Sequence, residues 1–237
     1  MKQTLSAALS ALALAIGAGS AHAQVVNGQF AGLAGWATAG DAAAVANRLV
    51  LTNAWSDGSD DLANHNVSGN DPLPAGGGAG SLEDFVGVAG GAFDPDPASF
   101  LQAVEGSAAL QAFTLATGGR LSFQWDFGTT ETSGDPSLAD VGFVVIDGTV
   151  TRLANASDTS VVAGGSYAAQ TGWQSWSTLL AAGSHTLAFG VVDVGSAGAS
   201  SALSVTGINV STVPESSTLA MLAVGLGLLG LARRRRA

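Results

Sequence analysis

Four carboxylates, Asp126, Glu131, Asp135 and Asp140, fall in or beside one predicted loop between two predicted strands. Hard oxygen ligands that converge on one loop suit Ca²⁺, which takes six to eight of them. Asp126, Glu131 and Asp140 are therefore the candidate calcium ligands, although the same spacing also fits a solvated acidic loop. No D-x-[DN]-x-[DN]-G loop is present. A second chemistry is stacking of sugar rings on indoles. The tryptophans are Trp36, Trp55, Trp125, Trp173 and Trp176. Trp55 lies in a polar stretch beside Asp57, Asp60 and Asp61 and is the leading candidate for an exposed platform. Trp173 and Trp176 are three residues apart, so on one strand they face opposite sides. One should pack inward and the other stand partly exposed. Trp36 and Trp125 read as core.

Catalytic signatures are missing. Between the two ends of the chain the histidines are His65 and His185, and there is no cysteine. Neither a G-x-S-x-G elbow nor an H-E-x-x-H pair occurs. His185 falls at a turn-to-strand boundary, where a solvated imidazole is expected. Carboxylate pairs are plentiful, but nothing singles out one pair for glycoside hydrolysis. The expectation is a protein without catalysis and without a cofactor, calcium excepted.

The elements that would hold these residues read as β. In Arg120–Phe127, Leu121, Phe123, Trp125 and Phe127 alternate with Arg120, Ser122, Gln124 and Asp126. That period of two marks a half-buried antiparallel strand. Val141, Phe143 and Val145 continue it up to Asp147-Gly148, a hairpin signal, with Thr149–Leu153 returning. Further strands are expected near Trp36, over Arg48–Thr52, Ala109–Leu115 and Ser184–Val192, and from Leu203 to Ile208 with a bulge at Gly207. Ser81 is a predicted N-cap for a short helix with Glu83 and Asp84 in its first turn. Asn53–Gly80 reads as a long polar loop with a mobile Gly76-Gly77-Gly78. About eight to eleven strands with short turns predict an all-β, jelly-roll-like antiparallel β-sandwich.

The two ends are of another kind. Met1-Lys2, an apolar run from Leu5 to Ile16 and Ala21-His22-Ala23 have the order of a secretory signal peptide, with Gln24 first in the mature chain. At the other end come Val213, Pro214, Glu215 and Ser216, an uncharged apolar run over about 217–232, and Arg233, Arg234, Arg235 and Arg236. The run from Leu219 to Ala232 extends roughly 20–25 Å as a helix, short of the ~30 Å hydrocarbon core. Snorkelling arginines or local thinning let it span, with the arginines cytoplasmic. The predicted organisation is residues 1–23 signal peptide, 24–212 β-sandwich and 213–237 tail with a transmembrane helix. Between the ends, three arginines face seventeen acids, a formal charge of −14. Such a surface repels nucleic acid and anionic lipid and attracts cations.

This tail resembles the PEP-CTERM sorting signal of Gram-negative bacteria, with Ser216 where that signal usually has proline. The resemblance implies export through the Sec translocon, an inner-membrane precursor and processing near Val213–Ser216 by an exosortase-like membrane protease. It further implies a cell-surface or extracellular-matrix destination in bacteria that make exopolysaccharide. Phe123-Gln124-Trp125-Asp126-Phe127, Glu131 and Asp140-Val141-Gly142-Phe143-Val144 resemble a surface domain common among such proteins. Asn27-Gly28-Gln29-Phe30 with Gly35-Trp36 resembles the opening strand of carbohydrate-binding sandwiches. The structural calcium site of many of those sandwiches does not carry over, because Gln29 and Thr206 stand where its acids would be. Three functions remain open: a structural matrix protein, a carbohydrate-binding module engaging exopolysaccharide with or without calcium, and a carboxylate-pair hydrolase.

Overall fold

The computed structural model describes residues 25–60, 65–95, 101–131, 139–161, 166–195, 198–212 and Leu226. Ala21, Ala23, Gln24, Val213–Ser216 and Arg233–Arg236 lie outside them, as does Asp135. No helix among the described residues is long and apolar enough to cross a membrane.

In chain order the elements are β1 (Ala37–Ala39), β2 (Asp41–Val45), β3 (Arg48–Thr52), β4 (Leu73–Pro74), α1 (Leu82–Val86), β5 (Ala103–Leu115) and β6 (Gly119–Thr129). There follow β7 (Val141–Ile146), β8 (Thr149–Asn155), β9 (Ser160–Val161), β10 (Ala169–Gln170), β11 (Gln174–Leu180), β12 (Gly183–Val194) and β13 (Ser201–Thr212). They form two antiparallel sheets packed as a β-sandwich. The first has the order β1-β5-β12-β7-β8, with β4 also on β5. The second has the order β2-β3-β13-β6-β10-β9, with β11 also on β6.

The predicted alternation on β6 is present: Leu121, Phe123, Trp125 and Phe127 are buried against Leu49, Leu51, Leu187, Phe189 and Leu203 in the inter-sheet core. Burying each such side chain is worth about 1.5–3 kcal/mol. The first sheet is covered on its other face too. Leu82, Val86 and Phe93 from α1 and its flanks pack there on Ala108, Phe143, Val145, Ala188 and Val192. This double coverage explains why β12 is buried continuously from Leu187 to Val194 rather than at alternate positions.

Local chemistry fixes the turns. Ser81 Oγ accepts the Asp84 N–H at 3.2 Å and caps α1, and Gly87 ends the helix at φ 76°. Two hairpins use two-residue turns with positive φ at both positions, Ala46-Asn47 and Asp147-Gly148, as their right-handed strand twist demands. On β13 the register shifts between Thr206 and Asn209, with Gly207 at φ 65°, so the predicted bulge is there. Asn27–Phe30, expected as a strand, is instead a turn with Asn27 and Phe30 at positive φ. Its Phe30 ring lies 5.3 Å from Trp36 in the core.

Candidate functional site

The outer face of the second sheet is built on the polar half of β6. Arg120, Ser122, Gln124 and Asp126 point away from the core. Register sets their neighbours: Gln124 lies between Ser175 and Thr206, Ser122 between Ser177 and Asn209, and Asp126 opposite Ser204. Arg120 Nη1 donates to Ser177 Oγ at 3.1 Å. The result is a ladder of hydroxyls and amides along one strand. Part of it forms a shallow recess of about 370 Å³ lined by Arg120, Ser122, Gln124, Ser175, Ser177 and Gly207, with Phe123 and Trp176 also contributing to its wall.

Aromatic rings flank that ladder. Thr171 and Gly172 carry the chain from β10 to β11, both of which pair with β6. Thr171 Oγ1 accepts the Phe127 N–H at 3.0 Å and donates to Asp126 Oδ1 at 3.2 Å. Gly172, at φ 67°, then releases Trp173 outward, where it is 44% exposed. The Arg48 guanidinium sits 5.9 Å from the Trp173 ring centroid. Beyond Asp126 on the same face, the Tyr167 ring covers Gly128 and stacks on His65 at 4.6 Å. Desolvation raises the Asp126 carboxyl above its ordinary range, against the opposing pull of Thr171, the Gly172 N–H and Arg48. Two of the domain's three arginines, Arg48 and Arg120, stand on this face.

The other candidate platforms are placed differently. Trp55 is half-buried, and its indole N–H donates to Glu105 Oε1 at 2.6 Å, so the ring is tied inward rather than standing free. Trp176 stacks on Phe123 at 5.0 Å against the core. Trp176 packs inward from β11, while Trp173, just before that strand, stands outward. His185 departs from expectation. It is 9% exposed, with Nδ1 on Asp147 at 2.7 Å and Nε2 on the Ala181 carbonyl at 3.0 Å.

The expected calcium trio does not converge. Asp126 is on the outer face, while Glu131 and Asp140 lie at the end of the inter-sheet interior. Side chains alternate along β6, so closeness in sequence put Asp126 on the wrong side. Among the described residues no three acids or histidines stand close enough together, as their side chains lie, to ligate one ion.

A buried acidic end, not anticipated as a unit, takes the place of that trio. Glu105 on β5 is directly opposite Asp193 on β12, and Val192 is opposite Val141, so Asp140 comes next to Asp193 on the third strand. Three acids thus lie in a row across three strands, turned toward the second sheet. Asp140 Oδ2 accepts from Asn53 Nδ2 at 2.8 Å, and Glu131 Oε2 accepts the Asp140 N–H at 2.9 Å. Asn53 Oδ1 accepts the Ser201 N–H at 2.6 Å. Asp193 is 1% exposed, and its Oδ1 has no hydrogen-bond partner. Desolvation, then the Glu131 charge, pushes Asp140 up to about 7. Desolvation, then the Asp140 charge, pushes Asp193 up to about 10. Glu105 and Glu131 are raised by desolvation as well.

No family model and no curated protein matches the chain. Among solved structures, a family 35 carbohydrate-binding module from Cellvibrio japonicus is similar over 46% of this chain and 71% of its own, at 19% identity and TM-score 0.24. A family 35 module from an environmental isolate overlaps 52% of this chain and 85% of its own, at 18% identity and TM-score 0.24. The cleaved adhesin domain of Lys-gingipain from Porphyromonas gingivalis overlaps 78% and 95%, at 14% identity and TM-score 0.31. The overlaps are loose, and function rests on this chain's own residues.

Proposed function

We propose that this is an exported, non-catalytic surface protein whose jelly-roll-like sandwich binds polysaccharide along the outer face of β6. Trp173 carries the proposal: it is an exposed indole beside a ladder of hydroxyl, amide and guanidinium groups. Such faces suit a glycan chain, because apolar sugar faces stack on rings while equatorial hydroxyls meet fixed polar groups. The glycan class is neutral or weakly acidic. The −14 domain repels a densely anionic polymer, whereas Arg48 and Arg120 accept an occasional uronate. The connections from β5 to β6, β6 to β7 and β12 to β13 each change sheets, which supports the jelly-roll form.

The sorting part of the proposal rests on the two ends of the chain. Ala21-His22-Ala23 offers a signal-peptidase site, and Val213–Ser216 before the apolar run and four arginines offers the exosortase-like site. The mature protein would then reach the cell surface or the extracellular matrix.

Intact mass of protein isolated from its host tests the sorting. Loss of both residues 1–23 and the tail beyond the Val213–Ser216 region is expected, and a retained arginine tail would refute it. Affinity electrophoresis in gels containing the host's exopolysaccharide tests the binding. The wild type should be retarded and Trp173→Ala should not. Equal mobility of the two would remove the platform. No retardation of the wild type would leave a purely structural matrix component.

A further inference from the structure

We infer that the buried acidic end of the sandwich holds a divalent cation of calcium's chemistry between Asp140 and Asp193, away from the Asp126 face. Register is the first ground. Glu105 and Asp193 form a directly opposed pair, and Asp140 extends the row on the third strand. Like charges directly opposite one another destabilise a sheet, so the row needs either protons on its carboxyls or a compensating cation. Among the described residues no arginine or lysine forms an ion pair with these acids. Two ion pairs among the described residues, Arg152 with Asp158 and His185 with Asp147, both lie elsewhere.

The second ground is Asp193 itself. Its side chain is 1% exposed, it shares a hydrogen bond with the Asp140 carboxyl, and its Oδ1 has no hydrogen-bond partner. A buried carboxylate oxygen without a donor is costly, and metal coordination is one of the few ways to satisfy it. The surroundings are oxygen-rich. Asn53, Thr129 and Ser201 face the acids from the second sheet, and Ser201 Oγ donates to Thr129 Oγ1 at 2.7 Å. Hard oxygens, carboxylate and neutral together, are calcium ligands, and nitrogen or sulfur ligands are absent from this set. Asp140 and Asp193 would supply the charge. Glu105 or Glu131 must turn toward them to close the shell, because no third acid stands close enough as the side chains lie.

The test is a CaCl₂ titration of EDTA-treated wild-type protein, followed by thermal unfolding and by calorimetry, with MgCl₂ in parallel. At calcium a hundredfold above its Kd, the midpoint should rise by roughly 5–10 °C. Asp193→Asn should abolish that rise. In EDTA the same variant should melt no lower than wild type, because the amide keeps the shape and, like the protonated carboxyl, carries no charge. Asp57→Asn, an exposed acid elsewhere, should keep the full response. Absence of a calcium-dependent rise in wild type overturns the inference, and so does a rise of equal size in Asp193→Asn. A wild type that answers to pH but not to calcium would mean that the carboxyls share a proton instead. If Asp193→Asn fails to fold, the wild-type titration together with Glu105→Gln decides.

Discussion

Gly106 lets β5 lie close to the β12 backbone and to Leu82 of α1, and Gly106→Ala tests how closely. A Cβ at Gly106 would stand 2.3 Å from the Val191 carbonyl oxygen, 2.8 Å from Leu82 Cδ2 and 3.0 Å from Val192 Cα. Two of these three atoms are backbone, so no rotamer change relieves the clash. Either β5 and β12 must separate locally or the strand must twist. Overpacking of this kind costs about 1–3 kcal/mol, and a backbone clash belongs at the upper end. Restricting the unfolded chain returns roughly 0.4–1 kcal/mol. The net loss is about 2 kcal/mol, or a fall in melting midpoint of roughly 4–8 °C for a domain of this size. Gly32→Ala is the control. A Cβ there meets nothing within 4 Å, so the variant should melt at or slightly above the wild-type midpoint. Circular dichroism melts of the two variants and wild type make the measurement. A Gly106→Ala midpoint within about 2 °C of wild type would show that β5 does not approach β12 and Leu82 as closely as described.

Two further outcomes follow from side chains already placed. Trp173 is 44% exposed, so a stacked sugar covers at most about 110 Å² of a ring that buries up to roughly 250 Å², a ceiling of about 2.8 kcal/mol. Trp173→Ala should therefore weaken polysaccharide binding by roughly 10–50-fold, whereas Trp176→Ala, which removes the stack on Phe123, should lower stability instead. His185 has a raised pKa: its bonds to Asp147 and Ala181 outweigh desolvation, and the same bond helps hold Asp147 below its ordinary range. The imidazolium form is the one the fold favours. Its contribution is complete below the unfolded histidine pKa and is lost as pH rises through the folded one. On the acid side the Asp147 contribution disappears as pH falls through its depressed value. The urea midpoint of His185→Asn should therefore trail wild type more at pH 5.5 than at pH 8.5, and an equal deficit at both would refute the charged pairing.

Much of the sandwich was legible because its signals are local. The β6 alternation, the Asp147-Gly148 hairpin, the Ser81 cap and the Gly207 bulge each depend on residues within a few positions of one another. β2 was missed because Asp41–Val45 is mostly alanine, which carries no strand signature. Its hairpin turn is Ala46-Asn47, an αL pair without glycine. Asn27–Phe30 was misread for the opposite reason. Its pattern resembles a strand, but Gln111 holds the segment from afar, bonding the Val26 backbone at 2.7 and 3.1 Å. The loop after β3 was read as polar and long. Its order comes from Asp41, which accepts the Val67 and Ser68 N–H groups and pins the turn over the sheet.

The acidic end shows why a site can be invisible in sequence while every member is in plain view. Glu105, Asp140 and Asp193 are far apart along the chain, and none belongs to a motif. They become neighbours only because β5, β12 and β7 pair in one particular register. A slip of one residue would turn the β12 side chain the other way and break the row. Asp126 and Glu131 are the reverse case: close in sequence, yet separated by the thickness of a sheet, because Asp126 occupies an outward position on β6. Sequence clustering of acids is thus a poor guide in a sandwich. The stronger signal is an acid at a position whose strand neighbours are all apolar, such as Asp193 after Val191 and Val192 and before Val194. A charge in such a run has to be neutralised, and among the described residues no arginine or lysine pairs with it.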